Sequence, residues 1–254
     1  MTLKSPKGLH RKLWRVTPGK SGMPGPFDHG VFRALERHAL DSTIRRGLPL
    51  NGPVFFHLRT IIEMLGLYYG SRNIKFVSNA FDRLQEVSFE EVDFIRRANP
   101  KAGKARAGRP LGRGTGSRAK MHLVDRIRAA GDMIRNGNSV AVSGTYGVTF
   151  GKEYEDSVNA RYLRPLDWEL WSGLTRPIAR RLVEILDMDF YGLRNGPHVA
   201  YEHAELCGLL PAKPQRFLSK ARECLDAAHD ELTAFGYMTY EWEAKPGRPW
   251  RILY

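Results

Sequence analysis

The chain has 254 residues, of which 42% are hydrophobic, 26% charged and 11% aromatic. That composition can bury one large core or two small ones, and it excludes a chain disordered throughout. With 40 Lys+Arg against 27 Asp+Glu the formal net charge is +13, which points to a polyanionic partner.

Other classes fall away on similar grounds. No apolar run approaches the ~20 residues of a spanning helix, so no membrane association is expected. Lys4, Lys7, Arg11 and Lys12 precede no apolar stretch, so no secretory leader is expected. Two cysteines, Cys207 and Cys224, are too few for a disulfide framework and fit a reducing cytoplasm.

The positive charge is concentrated. Residues 1–20 hold six basic residues and no acid, which reads as a flexible basic N-terminal arm. Residues 96–120 hold nine basic residues and again no acid. The remaining 25 basic and 27 acidic residues nearly cancel, so two cationic segments are attached to a near-neutral body. Such segments attract phosphate, although a charge run can also serve solubility alone.

In chain order, Phe27 to Ala39 carries a helical stripe after the start signal of Pro26. Val54 to Leu65 reads as a second helix ended by Gly66. Ile74 to Gln85 reads as a third, with Val77, Ala80, Phe81 and Leu84 inward. Val87 to Ile95 and Lys120 to Arg128 read as two strands of one hairpin, whose long tip at 97–119 carries Lys101, Lys104, Arg106, Arg109 and Arg113. Its glycines lack the Lys-Ser/Thr of a phosphate-binding loop.

The second half repeats the plan. Trp168 to Leu174 and Pro177 to Leu186 are predicted helices, the latter with proline at a first turn. A short helix around Glu202 to Leu209 and a long one from Pro214 to Phe235 follow. Alternation at Met238, Tyr240 and Trp242, then at Trp250, Ile252 and Tyr254, flanks Pro246-Gly247 and predicts a terminal hairpin. Glu63-Met64-Leu65-Gly66-Leu67 also matches Glu205-Leu206-Cys207-Gly208-Leu209. Further on, Phe76, Ser78, Ala80 and Leu84 match Phe217, Ser219, Ala221 and Leu225. Helix, turn, helix, hairpin is the order of a winged helix, present twice. The expected fold class is therefore α+β, with a first winged-helix domain over 21–160 and a second over 161–254. In the second, Phe217, Ala221 and Leu225 are expected on the buried stripe, with Arg216 and Lys220 facing away.

Catalytic signals are absent. No His-x-His pair accompanies a tyrosine nucleophile, no His-Glu-x-x-His occurs, and His203, Cys207 and Cys224 lack the spacing of a zinc site. The expectation is a protein that is not an enzyme and has no metal or other cofactor. DNA binding has a physical basis instead, because the N-terminal residues of a groove-inserted helix reach base edges. In the first copy these are Ser71, Arg72, Asn73, Lys75, Asn79 and Arg83. In the second they are Lys213, Gln215, Arg216, Ser219 and Lys220. Lys245 and Arg248 at the terminal hairpin can reach phosphate or the minor groove.

The segment Arg161-Tyr162-Leu163-Arg164-Pro165-Leu166-Asp167, with Trp168-Glu169-Leu170-Trp171 and Leu174 to Leu182 (LTRPIARRL), resembles the central motif of plasmid replication initiators of the RepA type. There a Lys/Arg-Pro-Leu-Asp strand enters a short helix, and a second helix opens the second winged domain. Val183-Glu184 stands where that family has Tyr-Arg, and the insertion at 97–119 exceeds its usual short wing. Met23-Pro24-Gly25-Pro26-Phe27-Asp28 is similar to the family's opening segment. The resemblance implies a nucleoid- or plasmid-associated protein that binds double-stranded repeats at a plasmid or phage replication origin, without nuclease activity. It further implies origin melting and recruitment of host proteins such as the replicative helicase or its loader. Monomer and homodimer are both open. A winged-helix transcriptional regulator and an RNA-binding ribonucleoprotein component are the alternatives.

Overall fold

Apolar stripes on α1 (Pro26–Ser42), α2 (Leu58–Met64) and α3 (Ser71–Glu86) bury Val31, Leu35, Ile61, Ile62, Val77 and Ala80 completely. They build the core of the first of two units, Met1–Leu163, in a computed structural model that describes residues 2–5, 8–95, 120–129, 144–160, 166–192 and 199–254. The second unit is Arg164–Tyr254. The architecture is mixed helix and sheet, α+β.

In the first unit, Pro26 occupies the first turn of α1, and the Gly25 amide donates to the Asp28 carboxylate at 2.7 Å, the half of a capping box that a glycine N-cap allows. The segment expected as one helix over 54–65 divides. Val54–His57 is strand β3, with Val54 and Phe56 buried and Phe55 exposed, and only Leu58–Met64 is helical. Val-Phe-Phe suits a pleated, half-buried surface better than a helix. The His57 ring then accepts from the Arg59 amide at 3.2 Å and starts α2.

The strands after α3 also depart from the expected single hairpin. β4 (Ser88–Ile95) pairs with β5 (Lys120–Met121) only at Phe89↔Met121 and Glu90↔Lys120. Beyond it, β6 (Val124–Ala129) leaves that sheet and pairs with β7 (Thr145–Phe150), which also pairs with β3. The resulting sheet has the order β3-β7-β6. α4 (Lys152–Asn159) follows, its Tyr154 hydroxyl donating to Glu36 of α1.

The segment expected as a flexible arm is largely strand. β1 (Thr2–Ser5) pairs with β2 (Gly8–Thr17), and β2 pairs with β4 from Thr17↔Ser88 to His10↔Ile95, in a sheet ordered β1-β2-β4-β5. The open edge of β4 supplies backbone partners, and Arg15 meets the Glu90 carboxylate at 3.6 Å.

The second unit begins with α5 (Trp168–Gly173), capped by the Asp167 carboxylate accepting from the Leu170 amide at 3.1 Å. α6 (Pro177–Gly192), β8 (Ala200–Glu202), α7 (His203–Leu209), α8 (Leu218–Ala234), β9 (Glu241–Glu243) and β10 (Arg251–Leu253) follow. Leu174, Leu182, Leu186, Leu206, Leu225, Leu232 and Ile252 form its core. Glu231 of α8 accepts from the Thr175 amide at 2.6 Å and the Arg176 amide at 3.2 Å, satisfying donors where α6 begins. The sheet order is β8-β10-β9.

The two units therefore share one arrangement. A long helix opening on proline leads to an edge strand, a short helix, a long helix and a hairpin whose last strand lies beside that edge. The counterpart of the terminal hairpin is β6–β7, and β4–β5 is an excursion inserted between α3 and β6.

Candidate nucleic-acid interface

Amphipathicity decides what α3 can offer a partner. Val77, Ala80, Phe81 and Leu84 turn inward, which leaves Ser71, Arg72, Lys75, Phe76 and Asn79 exposed. Arg72, Lys75, Phe76 and Asn79 follow helical spacing and form one face. The guanidinium of Arg72 lies 5.3 Å from the centre of the Phe76 ring, itself 42% exposed. Phe27 of α1 supports that ring edge-on at 6.3 Å.

Two of the predicted contacts in this copy have structural work. The Asn73 amide donates to the Tyr68 carbonyl at 2.7 Å and holds the turn before the helix. Arg83 is clamped to Asp28 through hydrogen bonds of 2.6 and 2.9 Å, which raise its pKa above the ordinary arginine value. Asp28 lies 55 residues earlier, so no local pattern announces the pair.

In the second unit Lys213, Arg216, Ser219 and Lys220 are exposed, and Gln215 is half-buried with its amide on the Lys213 carbonyl at 3.1 Å. Lys220 pairs with Glu223 at 2.5 Å. The expectation that Phe217 opens the buried stripe is overturned, since the ring is 61% exposed. α8 starts only at Leu218, and Phe217 is its N-cap with extended backbone angles, so its side chain leaves the helical register. Arg216 therefore also precedes the helix, and its guanidinium lies 5.6 Å from the Phe217 ring. Ala221 and Leu225 are fully buried as expected.

The hairpins add cations. Lys245 and Arg248 are exposed at the terminal one. The Glu243 carboxylate contacts Lys245 and reaches Arg251 at 3.3 Å, and those cations hold its pKa below the usual carboxylate range. These residues line a mixed-charge cleft with Glu202, Glu205 and Arg248. On the first unit's hairpin, Arg126 and Arg128 are exposed on β6. Sequence reasoning missed both, because the strand was assigned to another hairpin. Lys101, Lys104, Arg106, Arg109 and Arg113 lie outside the described residues, as does Arg161 to Pro165.

His203 and Cys207 sit one turn apart, 3.4 Å between Nε2 and Sγ. Burial lowers the histidine pKa and raises that of the thiol. Among the described residues no group of three or more His, Cys, Asp or Glu side chains is arranged to hold a metal ion. No helix among them is long and apolar enough to cross a membrane.

No family model matches the chain. No curated protein matches it by sequence. Its fold is similar to a crystal structure of RctB domains 2-3, with a TM-score of 0.56, 10% identity, and coverage of 100% of this chain and 88% of that one. A second structure, of selenomethionine derivatives of domain 2 and domain 3 of RctB, gives a TM-score of 0.61 at 11% identity, covering 100% and 90%. The likeness thus extends over both units of this chain.

Proposed function

We propose that this chain is a sequence-specific, double-stranded DNA-binding replication initiator built from two winged-helix units. The observation that carries the reading is the arrangement of strand, short helix, long helix and hairpin, present twice with one strand order. In each copy the beginning of the long helix exposes cations beside polar side chains. Placed in the major groove, α3 brings Arg72, Lys75 and Asn79 to base edges, and the start of α8 brings Arg216, Ser219 and Lys220. Arg126, Arg128, Lys245 and Arg248 on the hairpins contact flanking phosphates, which set register without reading sequence. Arg83 and Asn73 are bonded within the protein, to Asp28 and to the Tyr68 carbonyl, and take no part in this interface.

The initiator role, as opposed to DNA binding alone, rests on the resemblance of residues 161–187 to RepA-type initiators. The protein binds origin repeats, helps melt the adjacent duplex and recruits a host helicase or its loader, without cutting DNA. Direct repeats protected in a footprint of the DNA flanking the gene are the expected result. Protection of a single inverted repeat over a promoter would overturn the initiator role in favour of a transcriptional regulator. Arg216→Ala is expected to cost about 1–3 kcal/mol on the protected site and much less on random duplex. Equal losses on both would make Arg216 a phosphate contact.

A further inference from the structure

Each unit displays a phenylalanine in the middle of its cationic face. Phe76, inside α3, and Phe217, the N-cap of α8, align in sequence, because the residues four and eight places on, Ala80 with Leu84 and Ala221 with Leu225, are buried in both units. Both rings are exposed, and both carry an arginine guanidinium within 6 Å of the ring centre. The part of each ring left in water gains nothing from folding, so an exposed aromatic among cations in both units suits a ligand with an apolar feature among negative charges.

The major groove offers one such feature. Of the four bases only thymine presents a methyl group there, and guanine beside it presents the two acceptors that arginine recognises. Neighbouring base pairs are stacked about 3.4 Å apart. The guanidinium lies 5.3 Å from one ring centre and 5.6 Å from the other, more than one such step and less than two, so ring and arginine address different base pairs.

We propose that Phe76 with Arg72, and Phe217 with Arg216, each read a thymine–guanine step, the ring taking the thymine methyl and the arginine the guanine. The inference rests on duplex binding by α3 and α8 as proposed above. It adds that the recognised DNA carries two such steps, one per unit, and that methyl contact supplies part of the specificity.

The test starts from the full chain and a pool of randomised duplexes. Enriched sites are resynthesised with deoxyuridine in place of thymidine, which removes the methyl group and nothing else. The wild-type chain is expected to bind about fourfold more weakly for each contacted methyl removed. Phe76→Ala and Phe217→Ala are each expected to lose the preference for thymine at one step while keeping their affinity for random duplex. Phe217→Leu, which retains apolar contact, should keep most of the preference, and circular dichroism checks that all variants are folded. Equal wild-type binding to thymine and uracil duplexes overturns the inference, as does an unchanged thymine preference in the alanine variants. A thymine preference with no neighbouring guanine overturns the arginine half. If no sequence is enriched, the proposed function fails and this inference with it, so the two failures are distinguishable.

Discussion

Arg83, in the last turn of α3, grips the carboxylate of Asp28, in the first turn of α1, through two hydrogen bonds of 2.6 and 2.9 Å. The same carboxylate accepts from the Gly25 amide, so one side chain caps a helix and joins it to a second. Asp28→Ala removes both functions and strands a guanidinium that is three-quarters buried. A loss of about 3 kcal/mol in equilibrium urea unfolding is expected, near the lower end for a broken buried pair. A loss under ~1 kcal/mol would mean that water screens the pair.

Trp171 is 1% exposed, stacks on Trp168 at 5.5 Å between ring centres and carries the Arg180 guanidinium at 4.7 Å. Burial lowers the Arg180 pKa, as expected for a cation held against a ring instead of in water. Trp171→Ala should therefore cost about 3–5 kcal/mol. Urea unfolding followed by the remaining tryptophan fluorescence would measure it, and a cost below ~1 kcal/mol would put the ring at the surface.

Acid sensitivity should centre on His229. The ring is fully buried, hydrogen-bonded to the Tyr254 hydroxyl at 2.8 Å, and burial lowers its pKa from 6.5 to about 4. Between those values the unfolded chain binds a proton that the folded chain refuses. The stabilisation is thus complete above about pH 6.5 and lost as the pH falls toward 4, amounting to about 3 kcal/mol in all. The Tm should drop over that window in the wild type. In His229→Gln the curve should be flatter there, and an identical curve would move the titration to another group.

Glu243 restrains the cations of the terminal hairpin. Glu243→Gln leaves Lys245 and Arg251 free to meet phosphate. Affinity for random duplex should rise, and the dependence of log K on log salt should steepen by about 0.9 for each new phosphate contact. Unchanged slopes would show that Glu243 does not hold these cations away from DNA.

Deleting 97–119 tests the other cationic segment. If four of its basic residues meet phosphates, the salt slope should flatten by about 3–4. An unaltered slope in filter binding would exclude it as a DNA contact.

What the sequence made legible was local. The stripe Val77, Ala80, Phe81, Leu84 and the prolines at 26 and 177 mark helices through spacing and backbone constraint alone. β3 was hidden because Val54 to Phe56 runs on into the apolar pattern of α2, and periodicity cannot tell a short buried strand from helix. The hairpin β6–β7 was hidden for a different reason. Val124–Ala129 can pair with either neighbour, and the decision belongs to β7, whose other edge takes β3 from the far side of the core. Of the candidate interface, Arg72, Lys75 and Asn79 were readable as exposed positions on a periodic helix. Arg83 was not distinguishable from them, because its carboxylate partner arrives from a remote segment. Phe217 misled through one residue of helix boundary: at the N-cap a side chain no longer obeys the stripe.

The strand order shared by the two units has unequal kinetic consequences. Tyr201 finds its partner in Ile252, whereas Val54 must wait for Val148 across a loop roughly twice as long, because the excursion through β4 and β5 lies between. At equilibrium the difference is small, about 0.6 kcal/mol per doubling of loop length. During synthesis it is a matter of timing. α1, α2 and α3 leave the ribosome with their apolar faces made and the central strand of their sheet not yet translated, while the second unit receives its last strand soon after its helices. The first half of the chain, although made first, is therefore the half whose apolar helix faces wait longer for the strand that completes their sheet.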